Sequence, residues 1–353
     1  MKRCELGLDW VMLRRAVLVL APIVAWGLIY NADAWLQVAV ITIATFIVHE
    51  RAATAPFGVV LHTVVILFCC AALLLAQPYP LPFVVLCALS AMASVRISVR
   101  GAALRFMGNF TFAPALYLAV DTDERAKHSG PAAQLTHFVP ILCAGALPTL
   151  VLASWEHARR ALRKEVHWKY FVHVLRPADR GPEMTSWLPV VAIAVAVALA
   201  AVIAEVGHLP HAQWAIWSAA TVVGSDASAA REKWRDRSVG ALAGVPVGLT
   251  LGTLLPHQPF TVDWCVIGSL LSLVAFRSYT FGFASRSALA VAALCIAGAG
   301  TESAVARVSN VVLGGYIGFV CSIAVAFLVS GRKEQAGVAK RRQGEDRRPK
   351  RCE

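Results

Sequence analysis

Twelve apolar stretches, each cut off by charges or turn formers, constrain this chain more than any other feature. They run at about 15–30, 34–48, 57–76, 82–95, 102–120 and 135–154, then at 187–206, 212–225, 238–255, 260–276, 286–301 and 308–330. A helix needs roughly 20 mostly apolar residues to cross a bilayer. The second, fourth and eighth stretches are short by that measure, and their ends are soft by a few residues. Apolar residues make up 58% of the chain and charged residues only 15%, with a mean hydropathy of +0.63. One soluble core cannot hide so much apolar surface, whereas lipid can serve as the outer solvent. The expected fold is an all-α polytopic membrane protein with about twelve transmembrane helices in two six-helix repeats of the same orientation.

The net charge of +12 would suggest nucleic acid in a soluble protein. Here the basic residues sit between apolar stretches, so they read as a topology signal instead. With twelve spans and the N-terminus inside, 30 of the 33 basic residues fall on the cytoplasmic side. Arg125, Lys127 and Arg307 are left outside. That is the positive-inside bias of a protein with both termini in the cytoplasm. On this count Arg231, Lys233, Arg235 and Arg237 follow span eight, and Arg277 and Arg286 follow span ten. The stretch after the basic N-terminus lacks a small-residue cleavage site and reads as a first span, not as a removed signal peptide.

The organisation is then a first membrane half (1–155), a basic linker (156–186), a second half (187–330) and a charged tail (331–353). The linker stretch WEHARRALRKEVHWKYFVHVL has apolar residues at helical intervals and reads as an amphipathic helix on the inner leaflet, in contact with lipid. The tail is polar enough to be expected disordered. Tyr30, Trp35, Tyr79, Trp155, Trp187, Trp214 and Trp264 fall near the expected interfaces as an aromatic belt, with Trp26 and Trp217 read as packing residues. The nine cysteines show no zinc-site spacing, and most read as small buried residues. Trp35-Leu-Gln-Val-Ala-Val-Ile-Thr in the first half is similar to Trp214-Ala-Ile-Trp-Ser-Ala-Ala-Thr in the second. Two like-oriented halves place a cavity between them, as in many carriers.

Gly240, Gly244, Gly248 and Gly252 share one helix face, and Gly314 and Gly318 repeat the spacing. Such faces let a neighbouring backbone come close. The stretch Gln213-Trp214 to Thr221, then Ser225-Asp226, Arg231 and Arg237-Ser-Val-Gly240-Ala-Leu-Ala-Gly244, resembles the fusaric acid resistance (FUSC) or aromatic acid exporter family. Arg307-Val-Ser-Asn310 to Gly314-Gly315-x-x-Gly318 is similar to that family's last span. The resemblance is clearest over about 187–330. The linker here is short, where many family members carry a large cytoplasmic domain. The resemblance implies export of small aromatic carboxylic acids, driven by the proton gradient. In bacteria with two membranes it also implies a location in the inner membrane and a periplasmic adaptor partner.

Physical chemistry nominates residues for that task. An anionic substrate needs a cation, and the arginine fork suits a carboxylate. Arg105, with Asn109 nearby, and Arg96, Arg277 and Arg286 are the candidates for substrate binding. Proton coupling needs a carboxylate or histidine at depth, which nominates Glu50, Asp226 and His62; Glu50 and Asp226 hold similar places in the two halves. An inner-loop ion pair of Glu50 with Arg51, or Asp226 with Arg231, is the plainer reading. No phosphate-binding loop, His-Glu-x-x-His zinc site or Gly-x-Ser-x-Gly elbow occurs. The chain is therefore expected to be no enzyme, to hold no cofactor or metal, and to bind no nucleic acid. The alternative to transport is a membrane scaffold or assembly subunit whose glycine faces pack a partner or a second copy of the chain.

Overall fold

The computed structural model describes residues 7–30, 34–97, 101–126, 131–176, 187–224 and 227–346. Twelve α-helices fill the described residues: α1 (Trp10–Tyr30), α2 (Trp35–Ala52), α3 (Pro56–Ala76), α4 (Pro80–Ile97), α5 (Ala102–Ala126), α6 (Pro131–Leu162), α7 (Leu188–Val206), α8 (Gln213–Val222), α9 (Ala227–Leu254), α10 (Pro259–Ala275), α11 (Tyr279–Ile296) and α12 (Gly300–Asp346). Each expected apolar stretch lies on one of them. Prolines open α3, α4, α6 and α10, where the first turn has no use for the missing N–H. Seven helices among the described residues (α1, α3, α4, α6, α7, α11 and α12) are long and apolar enough to cross a membrane. Their outward faces carry exposed side chains such as Leu18, Phe68, Leu81 and Val206, as lipid-facing helices require. The chain is thus a polytopic helical membrane protein.

The helices pack in a pattern that recurs six elements later. α1 packs on α2, α2 on α6, α3 on α5 and α6, and α4 on α5. Likewise α7 packs on α8, α8 on α12, α9 on α11 and α12, and α10 on α11. Contacts of α4 with α7, and of α10 with α1 and α2, join the two sets. α2 is almost wholly buried, and α8 largely so. Short as it is, α8 (10 residues) is enclosed by its neighbours.

The glycines sit where helices come closest. A Cβ on Gly244 would lie 2.2 Å from the Ala284 carbonyl oxygen on α11, and one on Gly248 2.4 Å from that of Ala288. Gly240 and Gly252 face the same helix. Gly314 and Gly318 let α12 press on α8, with Cβ positions 2.0 and 2.6 Å from the carbonyl oxygens of Ala215 and Ala219.

Several expectations need correction. The stretch after Trp155 is not a separate amphipathic helix: α6 runs unbroken to Leu162, and a 3-10 turn follows at Trp168–Val172. Residues 174–176 then pair with the α2–α3 turn, through Ala55 N–H to Val174 O (3.1 Å) and Arg176 N–H to Ala53 O (2.9 Å). This connection marks one end of the bundle, the linker end. The tail is helical to Asp346, in keeping with its Ala, Glu, Gln, Lys and Arg content. Trp35 and Trp214 are buried among helices instead of lying in a belt, while Trp26 is exposed.

Candidate functional site

A cavity of about 290 Å³ lies between α2 and α5 on one side and α8, α10, α11 and α12 on the other. Phe110, Tyr117, Trp214 and Trp217 give it aromatic walls, and Arg286 and Arg307 put guanidinium groups into it. Helix propensity is only the background here; tertiary packing makes the site. α9, α11 and α12 begin earlier than their apolar stretches, at 227, 279 and 300 instead of 238, 286 and 308. The extensions of α9 and α12 draw in Arg237 and Arg307, which the charge count had assigned to loops, and that of α11 sets Arg286, also counted with a loop, well inside its helix.

The three arginines are seated on aromatic rings. Arg307 lies 4.6 Å from the Trp214 ring centre, and Arg286 5.6 Å from that of Phe283. Arg237 lies 4.5 Å from Phe283 and 5.5 Å from Trp217. Arg237 also donates to the Tyr279 hydroxyl (2.9 Å) and to Ser218 Oγ (3.3 Å). His211 stacks on the other ring partner, Trp214, at 4.4 Å. Asn310 donates to the Pro210 and His211 carbonyls (2.7 and 3.3 Å), fixing the turn that presents His211 and Trp214.

Burying a guanidinium is expensive unless its charge and N–H groups are answered. Cation–π contact gives part of that answer. Yet among the described residues none of the three arginines forms an ion pair, and the Nε groups of Arg286 and Arg307 are buried without a hydrogen-bond partner. Arg307 is only 5% exposed. Such a cavity holds unanswered positive charge beside flat apolar surface. Its acidic lining residue is Asp121, whose Oδ2 accepts from Gln37 Nε2 at 3.0 Å.

A second polar cluster, at the linker end, has the opposite character. Arg15 binds both Glu50 (2.6 Å) and Glu156. Arg176 donates to Glu156 Oε2 (2.9 Å) and to His49 Nε2 (2.8 Å), and His49 Nδ1 lies 3.2 Å from Thr54 Oγ1. These bonds tie α1, α2, α6 and the connection after α6 together. Burial lowers the pKa of Arg176 below its usual range, and the Glu156 carboxylate works against that shift. His49, Glu50 and Glu156 bring possible ligand atoms within 4.8 Å of one another. Two guanidinium groups already occupy these carboxylates, so the donor set does not suit a further cation.

The sequence candidates fall in several places. Arg286 lines the central cavity. Arg96 stands over Trp187 at the linker end, 4.4 Å from the ring centre, and with His62 it lines a second cavity. Arg277 is exposed, and its N–H donates to the Gly7 carbonyl (3.0 Å). Asn109 is half-buried on α5 and lines neither cavity. Glu50 is paired, with Arg15 instead of Arg51. Asp226 and the side chain of Arg105 lie outside the described residues. Arg307, Arg237 and Asp121 were not nominated. The signal for the two arginines was present, since both belong to the motifs that carry the family resemblance.

A polytopic helical membrane protein with an arginine-bearing aromatic cavity is the class that this fold and site define. Residues 185–321 match the family model described as fusaric acid resistance protein-like. The matched stretch lies in the second half of the chain and supplies all three arginines. No curated protein and no solved structure matches the chain.

Proposed function

We propose that the chain is an inner-membrane efflux transporter of small amphipathic organic anions, specifically aromatic carboxylic acids. The observation that carries this reading is the pair Arg286, half-buried, and Arg307, buried, which line an aromatic cavity with both Nε groups unpartnered and no carboxylate hydrogen-bonded to either among the described residues. A planar acid supplies both missing parts: a carboxylate for the guanidinium forks and a ring for Trp214, Trp217 and Phe110. The cavity volume, at the low end of ordinary ligand sites, suits a single-ring acid.

In this reading the two helix sets are repeats, and substrate passes between them by alternating access. The recurring packing pattern supports that arrangement. All twelve helices cross or re-enter the membrane, with the linker end in the cytoplasm. The proton gradient drives export, and Asp121, the acidic group in the cavity lining, takes up the proton. Glu50 holds the linker end together instead of coupling. A scaffold has no use for an unanswered charge in a cavity between its halves, so the transport reading is preferred to that alternative.

The test is accumulation of labelled hydroxybenzoates and related aromatic acids in cells with and without the protein, each with and without a proton uncoupler. Lower accumulation that the uncoupler abolishes is expected, and Arg307→Gln and Arg286→Gln should each remove it. In the same assay Asp121→Asn should leave residual export that no longer responds to the uncoupler. Export lost in neither arginine variant would place the substrate elsewhere.

A further inference from the structure

At the linker end a second cavity, of about 800 Å³, lies between α3, α4, α5 and residues 173–175. Leu61, Val65, Ile97, Leu104 and Met107 make most of its wall apolar. Three nitrogen-bearing side chains interrupt that wall, and they are not evenly spread. Arg96 and His173 belong to the rim: Arg96 is one residue from the end of α4, and His173 follows the 3-10 turn. His62 is deeper. It lies six residues beyond Pro56, the first residue of α3, or about 9 Å along the helix at 1.5 Å per residue.

His62 is 2% exposed, and its Nδ1 and Nε2 are both buried without a hydrogen-bond partner. A neutral imidazole has one donor and one acceptor nitrogen. The groups beside the ring are the backbone carbonyls of Met107 and Phe110, which can serve only a donor. The Met107 carbonyl already accepts from Thr111 Oγ1 (2.8 Å). The acceptor nitrogen therefore calls for an incoming O–H, and leaving it unmet costs stability.

We propose that this cavity is a binding site for a hydroxylated amphipathic organic acid. The carboxylate sits at the rim with Arg96 and His173, the apolar body lies against the wall, and the hydroxyl donates to His62. Trp187 holds the Arg96 guanidinium from one face, which orients its fork. A two-ring aromatic acid with its hydroxyl at the far end has the carboxylate, apolar body and hydroxyl in the order that this lining asks for. The lining shares no residue with the central cavity. The substrate class is that of the transport reading, but the site does not depend on it.

The probes are 6-hydroxy-2-naphthoate and 2-naphthoate, titrated by fluorescence into the purified full chain in phospholipid nanodiscs. Arg307→Gln serves as the background, to empty the central cavity. One site for 6-hydroxy-2-naphthoate should remain there. His62→Phe should weaken it about tenfold while leaving 2-naphthoate unchanged, and His62→Gln, whose amide oxygen accepts, should restore it. Arg96→Gln, an exposed rim change, should weaken both probes and carries the test if His62→Phe does not fold. Binding indifferent to His62→Phe and Arg96→Gln overturns the proposal, as does absence of any site in the Arg307→Gln background. A phospholipid that co-purifies in the cavity and is not displaced by the probe also overturns it. If a labelled hydroxybenzoate shows no binding that Arg307→Gln removes while His62→Phe still weakens one site for 6-hydroxy-2-naphthoate, the transport reading fails and this one stands.

Discussion

The centre of the bundle and its linker end both hold buried or half-buried arginines, and they treat them in opposite ways. At the linker end Arg15 and Arg176 converge on Glu50 and Glu156, so the charge is spent on holding four segments together. In the centre Arg286 and Arg307 have rings beside them and no carboxylate hydrogen-bonded to either. A paired buried charge is a fastening; an unpaired one in a cavity is a demand for a ligand.

The sharpest way to break this comparison is Arg307→Gln. Binding of a labelled aromatic acid should fall about a hundredfold, with the melting temperature held or raised because an uncompensated buried charge is gone. A lowered melting temperature with binding intact would erase the distinction between the two regions. Next, Glu156→Gln should destabilise the protein by about 2 kcal/mol, the usual cost of losing charge-assisted hydrogen bonds, read as an earlier thermal unfolding in detergent. Binding by the folded fraction should not change. Arg286→Lys keeps the charge and loses the planar fork, so affinity should drop about fivefold, or roughly 1 kcal/mol, by equilibrium titration. The smallest effect belongs to Glu50→Gln. Arg15 keeps Glu156 and is 35% exposed, so the loss should stay under about 1 kcal/mol, with uncoupler-sensitive export unaltered.

The fold was largely legible because its signals are local. Apolar runs bounded by Pro, Gly and charge give the helices, and glycines four apart on α9 give the face that meets α11. The site was less so, for a physical reason. Hydropathy ends a segment at its first charge, yet the backbone of α9, α11 and α12 continues helical through Arg237, Arg286 and Arg307. What keeps those arginines inside is Trp214, Trp217 and Phe283, which chain neighbours do not reveal. Asp121 was hidden similarly, one residue past the 102–120 stretch although α5 carries it to the cavity. The pairing of Arg15 with Glu156, 141 residues apart, has no sequence signature.

The brevity of α8 has an electrical consequence. Ten residues span about 15 Å, half of a hydrocarbon layer roughly 30 Å thick. Its neighbours α7, α9 and α12 are longer, so α8 reaches only part of the way across the layer that they are long enough to cross. In the transport reading, an anion moving past Trp214 carries its charge through part of the membrane field, which is worth about 2.3 kcal/mol per charge for each 100 mV across the whole layer. The inside-negative potential of a cell pushes such a charge outward, so in that reading the voltage itself favours export.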